Sequence, residues 1–384
     1  MVGYIPTQYG LFTPNAEYLG MCYVIYRTLV VDVAWNPHGT RLYDLHLKNS
    51  LNSLKITEEF DHVLACCVLE EHVTQETVTK ISEIVSSVFS DTLALTIYNT
   101  CREYRNGSAH GDDSESLGIN HFGIITSYTA DPNFLWNPKH NRSLWLMGKP
   151  TKYDRLALLY HLIESGVSPK YLTYSFNPEY CPFDLDPYSE GQRTLDTIWH
   201  DTNPGKVNYR EWAARHASEI GDIELSREQY HGALYDLNIY KSHCCEIVTE
   251  TFFDQPHHLT EKVHRSIALG FPFLMLGDHM EDYMRTLGYQ MYSDLVLLPR
   301  LDPSDPRYLQ LSCEKMAKQI IQFCESCKDA QFQHRVRDII NHNKSILENQ
   351  IAKTVDQGSR CIPHFSSILN YKCQLHIGKH PLVS

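Results

Sequence analysis

The feature that most constrains this fold is an alternation of short apolar runs with helically spaced ones. "FDHVLACCVL" at 60–69 is compact, apolar and strand-like. "TQETVTKISEIVSSVF", 74–89, then places Val78, Ile81, Ile84, Val85 and Val88 at helical spacing, and "TLALTIYN", 92–99, reads as the next strand. A strand, a helix and a strand of this length form a βαβ unit. That unit requires parallel pairing and an α/β fold. Upstream, "YVIYRTLVVDVAW" at 23–35 reads as one strand-like run. Residues 101–120 are polar and Gly/Ser-rich, which suits a surface loop over a site, and "HFGIITSY" at 121–128 is strand-like again.

The prolines of "TADPNFLWNPKHN", 129–141, read as a linker. A second α/β rhythm follows. "RSLWLMGKP" (142–150) leads into the helix "YDRLALLYHLIESG" (153–166), closed by glycine. Strands are expected at 171–176, 244–250 and 272–277, a short helix and turn within 226–242, and a helix at 279–288. From 311 to 350 the pattern is one long helical run. A chain of 384 residues exceeds one ordinary core, so the expected domains are 1–140, 141–310 and a helical extension with tail at 311–384.

Function begins with a lysine in an awkward place. In "HLTEKVHRSIALG" Thr260 suits an N-cap and Glu261 the first turn, yet Lys262 is a cation beside the positive end of a helix. A phosphate would reconcile it with the free N–H groups there. Glu261 can accept hydroxyl hydrogen bonds from a ribose or sugar. The plainer reading pairs Glu261 with Arg265 and turns Lys262 into water. Glu250 ends the preceding strand. Lys149, Lys152 and Arg155 lie between another strand and its helix, where they form a second cationic loop.

Other signals are weaker. Asp184 and Asp186 have a spacing that can hold a divalent metal, but beside Pro187 they read as a loop pair. His257 and His258 read as polar loop. Cys324 and Cys327 form the Cys-x-x-Cys of the 12 cysteines and, with no second pair at zinc spacing, read as structural; no metal ligand is expected. Gly-x-Gly-x-x-Gly, Walker, His-Glu-x-x-His and Gly-x-Ser-x-Gly motifs are missing, which disfavours dinucleotide oxidoreductases, P-loop NTPases, zincins and elbow-type hydrolases. The net charge of −12 argues against uniform wrapping of nucleic acid, although residues 314–384 hold ten Lys/Arg against six Asp/Glu. No apolar run is long enough to span a membrane, and "MVGYIPTQYGLFTPNAEY" lacks the pattern of a secretory leader, so a cytoplasmic location is expected.

The segment "EIVTETFFDQPHHLTEKVHRSIALGFPFLMLGDHMEDYMRTLGY" resembles the donor-binding half of two-domain glycosyltransferases, nearest the fucosyltransferase-like and exostosin-like group with its phage and viral relatives. The matching positions are Glu250; Thr260, Glu261 and Lys262; Gly270, Pro272, Phe273 and Gly277; and Leu287, Gly288 and Tyr289. "LWLMGKPTKYDRLALLYHLIESG" is similar to the segment that places Arg155, and "RDIINHNKSIL" to the one that places His342 and Asn343. The resemblance spans about 145–350; Lys149-Pro150 departs from a more arginine-rich run, and no acidic metal motif is evident.

The resemblance implies a GT-B-like fold, with two Rossmann-like domains facing across a cleft and C-terminal helices packing back towards the first. It implies a nucleotide-sugar donor, with Lys262 and Arg155 near the diphosphate, and no cofactor or metal; the second cationic loop adds Lys149 as a donor-binding candidate. Glu261 would hold the ribose or nucleotide, and Glu250 the sugar or the loop. The general base would come from His110, Asp112, Asp113 or His121. The acceptor stays open. Hydroxymethylated DNA in a phage is one alternative, with the host cytoplasm as location; a non-catalytic binding protein of the same fold is another.

Overall fold

The computed structural model describes residues 3–5, 22–25, 27–33, 61–67, 83, 87, 94–99, 117–118, 131, 133–147, 153–168, 170–175, 209, 212–213, 237–250, 253 and 259–376. The chain divides into two compact units, Met1–Tyr128 with Glu348–Ser384, and Thr129–Leu347. The fold is mixed α/β with parallel sheets.

In the first unit, β1 (Gly3–Ile5), β2 (Cys22–Ile25), β3 (Thr28–Val33), β4 (His62–Cys67), β5 (Ala94–Asn99) and β6 (Leu117–Gly118) form one sheet in that order. β1, β2 and β3 pair antiparallel, and β3 to β6 pair parallel. Glu83 and Ser87, between β4 and β5, are helical. The βαβ reading therefore holds. The single run expected at 23–35 is corrected to a hairpin. Ile25 pairs with Thr28, so the chain reverses in two residues. Arg27 takes φ 57 there, and its guanidinium grips Asp61 at 2.6 and 2.7 Å. No Gly or Asn marks that turn, and for this reason periodicity missed it.

In the second unit, β7 (Ser143–Leu146), β8 (Leu172–Ser175), β9 (Cys245–Val248) and β10 (Phe273–Met275) form an all-parallel sheet in the order β10-β9-β7-β8. All four are buried along their length, as parallel strands covered on both faces must be. The connecting helices are α1 (Tyr153–Glu164), α2 (Leu237–Lys241), α3 (Glu261–Leu269) and α4 (Asp278–Thr286). The segment read as a linker at 129–141 is instead anchored. Phe134 and Trp136 are buried, and the Trp136 indole donates to the Cys244 carbonyl at 2.8 Å. Two aromatic anchors outweigh the loop signal of the prolines.

The long run expected from 311 is broken into α5 (Tyr308–Ser326) and α6 (Ala330–Cys361), followed by α7 (Phe365–His376). The break is made by Asp329, whose carboxylate accepts from the Phe332 N–H at 2.7 Å as an N-cap. α5 packs on α1, and it buries Met316, Ile320 and Phe323.

Candidate functional site

From β7 the chain passes to β8 on one side, then returns to β9 on the other. The order thus reverses between β7 and β9, and in open α/β sheets ligands bind at the carboxyl ends of such strands. Pairing of β7 with β9 ends at Leu144↔Glu246, two residues short of Leu146 and Val248. The strands therefore separate where a crevice is expected. Glu250 follows β9 there, α1 starts after β7, and α3 opens with Thr260 and Lys262.

Local chemistry explains the start of α3. Thr260 is extended (φ −108°, ψ −173°) and its hydroxyl accepts from the Lys262 N–H at 3.4 Å, an N-cap as expected. At the other end Gly270 adopts φ 71°, and the bonds from Gly270 to Ile267 and from Phe271 to Ser266 close the helix in a Schellman manner. Arg265 and Ser266 both donate to the buried carboxylate of Glu246 on β9, which also accepts from Tyr240 at 3.3 Å. This ties α3 rigidly to the strand. Arg265, read at helical spacing as the partner of Glu261, thus bonds Glu246, while its charge still acts on Glu261.

Lys262 does not point into water. Its ammonium turns back to Thr260 Oγ1 at 2.9 Å and Glu261 Oε1 at 3.1 Å, and its side chain is only 12% exposed. The Thr260 hydroxyl in turn donates to Glu250 Oε2. One threonine oxygen therefore links a cation to a buried carboxylate. Glu250 is 4% exposed, and its second oxygen, Oε1, is buried without a hydrogen-bond partner among the described residues. A carboxylate oxygen left so is costly unless something else reaches it.

The two acids beside Lys262 are driven apart. Burial lifts the Glu250 carboxyl above its ordinary value, against the pull of Lys262 and of the Thr260 hydroxyl. Burial acts on Glu261 in the same sense, but the charge and hydrogen bond of Lys262, with Arg265 behind them, outweigh it and hold that carboxyl down at about 2.

Arg155 completes the group from the α1 side. It is buried, and its guanidinium lies 3.4 Å from both the Thr249 and Glu250 carbonyls. Arg155, Glu250, Thr260, Glu261 and Lys262 thus converge. His342 and Asn343 do not join them. His342 Nε2 lies 2.8 Å from the Gly288 carbonyl, while Asn343 exchanges two 2.9 Å bonds with the backbone of Gln290. Both hold the turn after α4. Lys149, Lys152, His110, Asp112, Asp113, His121, Asp184, Asp186, His257 and His258 lie outside the described residues, as does the strand read at 121–128.

Sequence reasoning missed the Glu246–Arg265–Ser266 network. An acid inside an apolar strand, "CEIV", was its only signal. Among the described residues, the group compact enough to hold a metal is Cys244, Cys245 and Cys324, at the opposite end of β9 from Glu250. Comparison with protein-family models, with curated proteins and with solved structures finds no match to this chain.

Proposed function

We propose that this chain is a glycosyltransferase of GT-B-like arrangement, moving a sugar from a nucleotide-sugar donor to an acceptor hydroxyl. The observation that carries the reading is the buried Glu250 Oε1, without a hydrogen-bond partner among the described residues, beside Lys262 at the N-terminus of α3. A hydroxyl-rich ligand supplies a donor for that oxygen. A diphosphate supplies the anion that the helix N-terminus and the lysine favour.

The roles follow from this geometry. Lys262 leaves Glu261 for the diphosphate and stabilises the charge that develops on the leaving group. Glu261, released from the ammonium, accepts ribose hydroxyls. Glu250 accepts a sugar hydroxyl, and Thr260 keeps its other oxygen fixed. Arg155 braces the Thr249–Glu250 backbone, so that Glu250 is held in place before the donor arrives.

The test is a thermal-shift panel of nucleoside diphosphates and their sugars on wild type and Lys262→Met. Methionine keeps the length of the side chain and removes its charge. A donor at 100 times its Kd stabilises by about 2.7 kcal/mol, so a clear rise in Tm with one nucleotide is expected, and loss of that rise in the variant. An equal rise in both proteins would remove Lys262 from the site. No rise with any member of the panel would remove the donor reading and leave a binding protein of the same fold. With a donor in hand, transfer is assayed on acceptor hydroxyls, hydroxymethylated DNA included.

A further inference from the structure

We propose that Cys244, Cys245, Cys324 and Cys327 form a structural zinc site that clips α5 to the amino end of β9. The first two cysteines open β9, Cys324 lies in the last turn of α5, and Cys327 is the C-cap of that helix. All four are free and buried. The sulfurs of Cys244, Cys245 and Cys324 lie within 4.8 Å of one another, with Cys244 and Cys324 at 3.4 Å. Cys327, three residues beyond Cys324, is buried and stands outside that trio as the candidate fourth ligand.

Zinc bound tetrahedrally by thiolates at about 2.3 Å sets its sulfurs about 3.8 Å apart. The observed spacing brackets that edge. A cluster of several irons holds its cysteines farther apart than one ion does, so this spacing favours a single ion. Three sulfurs stand in place, and Cys327, drawn in on binding, completes the closed four-sulfur set of a structural site.

Buried cysteines often serve as small apolar side chains. Cys313, equally buried on α5, is such a case. It stands 11 residues from Cys324, about 16 Å along the helix, and has no place in the cluster. Cys244 and Cys245 instead meet Cys324 from segments 80 residues apart. The backbone at Cys244 is fixed on both sides before any metal arrives. Its N–H donates to the Arg142 carbonyl at 2.8 Å and its carbonyl accepts from Trp136. Binding converts the four thiols to thiolates, releases their protons to solvent and changes no oxidation state.

The site lies at the opposite end of β9 from Glu250, so it does not depend on the function proposed above. The test uses the full chain, purified under reducing conditions after expression with added zinc. Elemental analysis is expected to find about one zinc per chain. Replacement by cobalt is expected to give the intense thiolate-to-metal absorption and the d–d bands of a tetrahedral four-sulfur site. Cys324→Ser should weaken zinc binding at least about tenfold, and Cys313→Ser should leave it unchanged.

The cobalt spectrum needs no variant to fold. Its absence in wild-type protein would overturn the proposal, as would a Cys244–Cys324 disulfide in protein that carries no metal. Equal zinc content in Cys324→Ser would likewise remove that residue, and with it the four-sulfur site.

Discussion

Two helix N-termini in the same sheet unit, those of α3 and α4, are built from similar parts and end differently. Each follows a parallel strand, carries acids in its first turn and has a lysine at hand. At α4 the chain satisfies itself. Asp278 Oδ2 accepts from the Leu301 N–H and Oδ1 from Lys315, both at 2.6 Å, while Glu281 accepts from Ser293 at 2.6 Å and pairs with Arg285. Gly277, at φ 95°, leaves no room for a side chain, since a Cβ there would sit 2.6 Å from the His279 ring. At α3 the acids and lysine are also paired, but among the described residues Glu250 Oε1 is left over. An end closed on every side holds the fold together. An end with one buried acceptor to spare is poised for a ligand.

The largest effect is expected at the closed end. Asp278→Ala leaves Lys315 and the Leu301 N–H without their partner. Breaking a buried pair from one side costs about 3–5 kcal/mol, and the lower figure suits a lysine that is 12% exposed. Urea unfolding should show this loss, while donor affinity measured well below the melting temperature stays unchanged. A donor affinity that falls with the stability would erase the distinction between the two ends.

How much of this was legible beforehand depended on how local the signal was. The strand–helix alternation and the Thr260 cap are written within a few residues, so they could be read. The hairpin at Arg27 could not, because its turn holds no Gly or Asn and the Asp61 carboxylate that Arg27 grips lies 34 residues away. Arg265 offered Glu261 at helical spacing but bonds Glu246, 19 residues off, which is the more deeply buried of the two acids. The Cys-x-x-Cys looked solitary because its companions are adjacent residues 80 positions earlier. The spare oxygen of Glu250 is a property of three-dimensional packing alone. Spacing could suggest a ligand at Lys262, but not that the neighbouring acid lacked a partner.

The next effect depends on pH. Burial lifts Glu281 to about 7, against Ser293 and Arg285, while an unfolded glutamate titrates near 4.5. Between those values the folded protein binds the extra proton, so stability falls as pH rises. This contribution is complete below about 4.5 and is lost as pH passes through about 7. The difference amounts to at most about 3 kcal/mol. Unfolding free energies at pH 5 and pH 8 should therefore converge in Glu281→Gln, which keeps the acceptor for Ser293 and cannot ionise. A slope equal to that of wild type would place the titrating group elsewhere.

The smallest stability change, and the sharpest test of the contrast, is expected for Glu250→Gln. The amide oxygen can still accept from Thr260, so the cap survives. Because burial raises the Glu250 carboxyl in the folded state, ionisation works against folding as pH rises, and the neutral amide escapes that cost. At pH 5 the variant should match wild type to within about 1 kcal/mol, and at pH 8 it should be the more stable. Donor affinity should behave oppositely, since a ligand hydroxyl loses a charged acceptor worth about 1.5–3 kcal/mol, roughly ten- to a hundredfold in Kd. Isothermal titration on the two proteins separates these effects. A variant that is more stable and binds less well marks Glu250 as an acid kept buried for its ligand. If it is less stable and binds equally well, Glu250 is a brace like Asp278, and the N-terminus of α3 is closed as well.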